Sequence, residues 1–139
     1  VGMFVGTSSH HKHSKYLIEN SELFGLGEEN IRLVALVARY HRRAVPGRNH
    51  PEYMLLPRRQ RLAVSKLAAI LRVADALDRS HAQAVRDIRV SLRGTDQLLI
   101  EIGRTGDYAV EKNALASKGK MFEQVYGRTV VLRAKRKRG

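Results

Sequence analysis

The chain has 139 residues, with 26 Lys and Arg against 13 Asp and Glu (a formal net charge of +13), 43% apolar residues and no cysteine. The lack of cysteine excludes disulfides and thiolate metal sites, and no apolar run approaches the roughly 20 residues of a membrane span, so a packed domain in a reducing cytoplasm with no membrane partner is expected. A charge excess this large on so small a chain attracts polyanions such as polyphosphate, nucleotides or nucleic acid, unless it only solubilises the chain or faces an acidic part of a larger protein.

The opening Val1-Gly2-Met3-Phe4 is apolar and uncapped, lacks a starting Met, and is too short for the apolar region of a signal peptide. It reads as entry partway through a structural element, and a fragment is expected. Ser14 to Asn20 is a short helix candidate, with Gly25 and Gly27 punctuating its exit. Glu28 and Glu29 then place negative charge where a helix macrodipole favours it, which predicts a helix over 28–41. Its apolar residues form two stripes, Ile31, Val34, Ala35 and Ala38 beside Leu33, Leu36, Val37 and Tyr40, so a central position is expected. Pro46-Gly47 and Pro51 mark a loop extending to Leu56, and Pro57 suits the first position of a helix over 57–80. Ala63, Leu67, Ile70, Ala74 and Leu77 recur there at spacings of four and three with Leu71 beside them, while Arg58, Arg59, Arg61, Lys66 and Arg72 fill much of the remaining surface.

Beyond residue 86 the period changes to two. Ile88, Val90 and Leu92 alternate with Arg89, Ser91 and Arg93, a strand with one buried face; Gly94-Thr95-Asp96 turns the chain, and Leu98, Ile100 and Ile102 carry the return strand. A helix over 110–126 follows, with Ala114, Met121, Phe122 and Val125 inward and Gly127 at a left-handed cap. Thr129 to Leu132 forms a last strand, and Lys135 to Arg138 is a basic tail.

Two constellations could carry chemistry. His10 and His13 lie three apart, His11 points elsewhere, His41 ends the second helix, and Asp75 and Asp78 sit in the last turns of the third. Imidazole and carboxylate suit Mn, Fe, Ni or Zn. Carboxylates near a helix C-terminus face the negative end of the macrodipole, at roughly 0.3–1 kcal/mol each, so a positive partner is needed. A metal ion would serve, as would Arg72 or Arg79 at helical spacing from Asp75. The second constellation is cationic: Lys12 and Lys15, then Arg39, Arg42 and Arg43 around His41, then Arg48, Arg58, Arg59 and Arg61. Arginine forks fit phosphate oxygens bidentately and lysines add point charge. The chain has no glycine-rich phosphate loop, GxSxG elbow, HExxH pair or interleaved aromatic platform for single-stranded bases.

Three stretches, "HHKHSKYLIENSELFGL", "VARYHRRAVP" and "LAAILRVADALDRSHAQAVRDIRV", resemble the C-terminal HD-type domain of the exopolyphosphatase/guanosine pentaphosphatase family, and "KGKMFEQVYGRTVVL" is similar to that family's C-terminal strand-helix-strand segment. The resemblance implies a mainly α fold, an HD-domain-like helical bundle over 1–86 truncated at its N-terminal side. A small β-β-α-β subdomain over 87–134 and a disordered basic tail over 135–139 would follow. It implies that the intact protein hydrolyses terminal phosphoanhydride bonds of inorganic polyphosphate or guanosine pentaphosphate, using Mg in actin-like catalytic domains that this chain lacks. The present chain would hold the far end of the substrate through Lys12, Lys15, Arg39, Arg42, Arg43, Arg58 and Arg59, or regulate the catalytic half, and alone would be non-catalytic; similar proteins also dimerise. Asp75 in "VADALD" matches the downstream Asp of HD phosphohydrolases, and His13 and His41 resemble accessory ligands, with His11 beside them at a partial divalent-metal site. The upstream His and the His-Asp pair would fall outside the chain. The alternatives are a metal-dependent HD-type phosphohydrolase acting on nucleotides, and a basic RNA-binding module.

Overall fold

The computed structural model describes residues 27–41, 44–79, 85–104 and 107–135. The chain divides into two compact units, Val1–Ala68 and Ala69–Gly139, and the boundary falls inside the longest helix. The expected short helix from Ser14 to Asn20 and all of the basic tail but Lys135 lie outside the described residues.

In the first unit, helix α1 spans Glu28–Tyr40. Its opening turn carries Glu28 and Glu29 at the positive end of the macrodipole, and the Gly27 carbonyl accepts the Ile31 N–H at 3.0 Å. Ala35, Leu36 and Tyr40 are fully buried, whereas Val34, on one of the two predicted stripes, is 40% exposed. The loop expected up to Leu56 contains a one-turn helix, α2, over Pro51–Met54. Pro51 opens it because a first-turn N–H has no intrahelical partner, so a proline there forfeits nothing.

Helix α3 spans Arg58–Leu77, and Pro57 stands one residue ahead of it, its carbonyl accepting the N–H groups of Gln60 and Arg61 at 3.0 Å each. The helix ends three residues short of the expected Ser80, where the Asp78 N–H turns back to the Asp75 carbonyl at 3.2 Å. The predicted apolar stripe is not the buried one. Leu67 is 54% exposed, Ile70 50% and Leu71 39%, while Val64, Ala68, Ala69, Arg72, Val73 and Ala76 are buried. Two apolar stripes run along this helix and periodicity alone does not rank them; the alanine-rich one is the buried one. Arg72, expected on the surface, is drawn in with that stripe, and burial lowers its pKa.

The second unit contains strands β1 (Val85–Arg93) and β2 (Gln97–Arg104), helix α4 (Ala109–Tyr126) and strand β3 (Thr129–Ala134), the predicted β-β-α-β order. The sheet order is β1-β2-β3, with β1 antiparallel and β3 parallel to β2. Gly94, at φ 55°, makes the turn between the first two strands. Arg128 then ties β3 to that hairpin by donating from Nη1 to the carbonyls of Gly94 and Gln97, both at 3.2 Å. Between Arg86 and Arg89 the register slips by one residue in a bulge, where Asp87 adopts φ 51°.

Helix α4 packs on β3, and Leu115, Met121 and Phe122 are buried with Leu99, Ile100, Ile102 and Leu132 of the sheet. Of the four residues expected inward, Met121 and Phe122 are buried and Ala114 and Val125 half-buried; Glu111, fully buried, was unforeseen. The predicted buried face of β1 is not covered: Ile88, Val90 and Leu92 are 50%, 57% and 63% exposed. The reason lies in the sheet order, since α4 covers the edge opposite to β1. The fold is therefore mixed α/β, helices with a small three-stranded sheet.

Two glycines of α4 predict opposite mutational effects. A Cβ on Gly119 would lie 3.6 Å from Val130 Cβ, an ordinary contact, so Gly119→Ala should stabilise by about 0.5–1 kcal/mol through helix propensity. Gly127 caps the helix at φ 68° with its N–H on the Glu123 carbonyl at 2.8 Å, so Gly127→Ala should cost about 1 kcal/mol. Urea unfolding of the two variants side by side checks both signs.

Candidate functional site

The residues that begin α3 carry the clearest electrostatic anomaly. Its first turn reads Arg58-Arg59-Gln60-Arg61 with no acidic residue, although unpaired N–H groups make this end of a helix positive. Arg58 and Arg59 are exposed, and Arg61 is half-buried with Nη1 3.7 Å from the Met54 sulfur. The Gln60 amide donates to a Glu29 carboxylate oxygen, which links the start of α3 to the start of α1. A cleft beside this helix end is lined by Glu28, Glu29, Arg32, Leu55, Leu56, Pro57 and Gln60. Its carboxylates oppose anion entry, so an anion at α3 would be met on the exposed side of Arg58 and Arg59.

The other predicted phosphate ligands are distributed differently. Arg39 lies 4.0 Å from Glu52 and stands over the Tyr40 ring, 5.6 Å from its centroid. Tyr40 stacks on His50 at 5.4 Å and meets Tyr53 edge-on at 6.0 Å, while the Tyr53 hydroxyl bonds to the Ser65 hydroxyl at 2.9 Å. Burial raises the Tyr40 pKa, an effect that neighbouring Arg39 counters in part. Arg48 is exposed. Lys12, Lys15, Arg42 and Arg43 lie outside the described residues.

Of the predicted metal ligands, His11 and His13 also lie outside the described residues. His41 follows α1 and directs Nδ1–H to the Ala38 carbonyl. In the second unit, Asp75 holds its carboxylate 3.9 Å from the Lys118 ammonium of α4, both groups largely buried. This is the positive partner that a carboxylate near a helix C-terminus requires, and neither Arg72 nor Arg79 was needed to supply it. Sequence spacing could not have named Lys118, because the pairing is made by tertiary packing and not by helical periodicity. Among the described residues, no three His, Cys, Asp or Glu gather to hold a metal ion.

These features define a mixed α/β protein with a cationic helix end and a half-buried aspartate beside a lysine. Residues 1–118 match the family model described as Ppx/GppA phosphatase, domain III. The match covers most of the chain, and the protein belongs to the Ppx/GppA phosphatase family. Among the described residues no helix is long and apolar enough to cross a membrane.

Proposed function

We propose that this chain is the HD-type C-terminal domain of an exopolyphosphatase or guanosine pentaphosphate phosphohydrolase, and that it binds the polyphosphate chain for actin-like catalytic domains of the same polypeptide. In this reading residues 1–86 form the HD-like helical part, 87–134 the small subdomain and 135–139 a basic tail, within a cytoplasmic protein that pairs as a homodimer. Mg belongs to the catalytic half. The observation that carries the reading is the start of α3: Arg58, Arg59 and Arg61 occupy a turn where carboxylates stabilise and cations destabilise a helix. Cations retained there at a cost to stability are explained by an anion that they bind together with the helix end.

Asp75, the carboxylate of the expected divalent-metal site, has its buried Oδ2 3.9 Å from the Lys118 ammonium and without a hydrogen-bond partner among the described residues, and His11 and His13 lie outside those residues. No step is assigned to such a metal.

The test is binding of long-chain polyphosphate across salt. The affinity is expected to fall roughly linearly in log–log form between 50 and 200 mM salt, as counterions are released, while the chain frees no phosphate. An affinity insensitive to salt, or preferential displacement by an RNA of equal charge, defeats the reading.

A further inference from the structure

Among the described residues strand β1 is an edge strand, hydrogen-bonded to β2 along one side only. It is exposed along almost its whole length, with only Val85 and Ser91 half-buried. The bulge and the left-handed Asp87 interrupt its start, so the regular open edge runs from Ile88 to Arg93. Along that edge one face presents Ile88, Val90 and Leu92, at 50–63% exposure. The other face presents Arg89 and Arg93 with Ser91 between them. Glu101 pairs with Arg89 in register but gives its carboxylate to Arg133 on its other side, at 3.4 Å. Among the described residues no ion pair engages Arg89 or Arg93.

Natural sheet edges are blunted by proline, by short length, by bulges or by charged side chains. From Ile88 onward this edge has no proline and no bulge, and its only guards are Arg89 and Arg93, charges that repel a basic strand and admit an acidic one. Its pattern specifies an occupant. A strand laid along it must place apolar residues beside Ile88, Val90 and Leu92, and carboxylates beside Arg89 and Arg93. We propose that β1 is a docking edge for a strand of a partner protein in which apolar residues alternate with Asp or Glu. Backbone hydrogen bonds would supply the hold, and alternating side chains the choice of partner. A second copy of the chain fits less well. Antiparallel self-pairing about Val90 would set Arg89 diagonal to the same arginine of the other copy, between molecules that each carry +13. A lipid surface would leave the open backbone groups of the edge unpaired.

The proposal is tested with two end-blocked octapeptides of identical composition, one alternating Val and Glu, the other with four Val followed by four Glu. The full chain should bind the alternating peptide at least tenfold more tightly in 150 mM salt, and binding should slow amide exchange between Ile88 and Arg93. The double variant Arg89→Glu/Arg93→Glu, altered only at exposed positions, should lose at least tenfold toward that peptide and gain affinity for one alternating Val and Lys. Equal binding of the block peptide, protection confined to other residues, or no reversal by the charge swap overturns the proposal. So does a chain dimer dissociated by Val90→Lys, which would assign the edge to a second copy.

Discussion

Replacing Arg58 and Arg59 together by Glu should make the protein more stable and worse at holding polyphosphate. Both side chains are exposed in the first turn of α3, so neither fills the core. A single charge in such a position is worth about 0.3–1 kcal/mol at low ionic strength, and reversal both removes a repulsion and adds an attraction. The pair of changes should therefore raise the unfolding free energy by about 1–2 kcal/mol. Urea is the suitable denaturant, because guanidinium would screen the effect being measured. Polyphosphate affinity should fall at least about tenfold in 0.1 M salt, with a shallower salt dependence because fewer counterions are released on binding. A merely solubilising arginine pair predicts the gain in stability without the loss of affinity, and a structural pair predicts a loss of both.

Gly103→Ala should be among the most damaging single-methyl changes in the second unit. A Cβ there would stand 2.9 Å from Asp87 Oδ2, closer than real Cβ atoms come, and 3.1 Å from Asp87 Cβ, a tight contact. Rotating the exposed Asp87 carboxylate relieves the contact at Oδ2 but not the one at Cβ, whose position is set by the bulge backbone at φ 51°. We expect a cost of about 2–3 kcal/mol. Asp87→Gly removes the obstructing atoms and relaxes the backbone, so the double variant should be nearly as stable as the parent chain. Thermal unfolding of the full cycle checks this: simple additivity of the two changes would show that the contact does not limit the site.

How much of this was legible in the sequence depends on whether the signal was local. The start of α1 follows from Glu28 and Glu29, the hairpin from Gly94-Thr95-Asp96, and the end of α4 from Gly127, because each is chemistry between near neighbours. The one-turn helix at Pro51 was hidden by a residue that also signals loops. The buried face of α3 and the exposure of β1 depend on which elements pack against them, which periodicity does not encode. The site divides in the same way. The arginines of α3 and the helix start at Pro57 were both legible, so their conflict with the macrodipole is itself local chemistry. The Lys118 partner of Asp75 carried no sequence signal at all.

The parallel pairing of β3 with β2 has a practical consequence for anyone dissecting this protein. The match to the domain III family model ends at residue 118, in the middle of α4. The structural unit does not: Gly119, Met121 and Phe122 are buried in the remaining half of the helix, and Leu98, Ile100 and Ile102 lie opposite Val130, Leu132 and Ala134 across the seam. A fragment trimmed to the homologous stretch would strip β2 of one neighbour and leave a sticky hairpin, prone to aggregate for reasons unrelated to the natural protein.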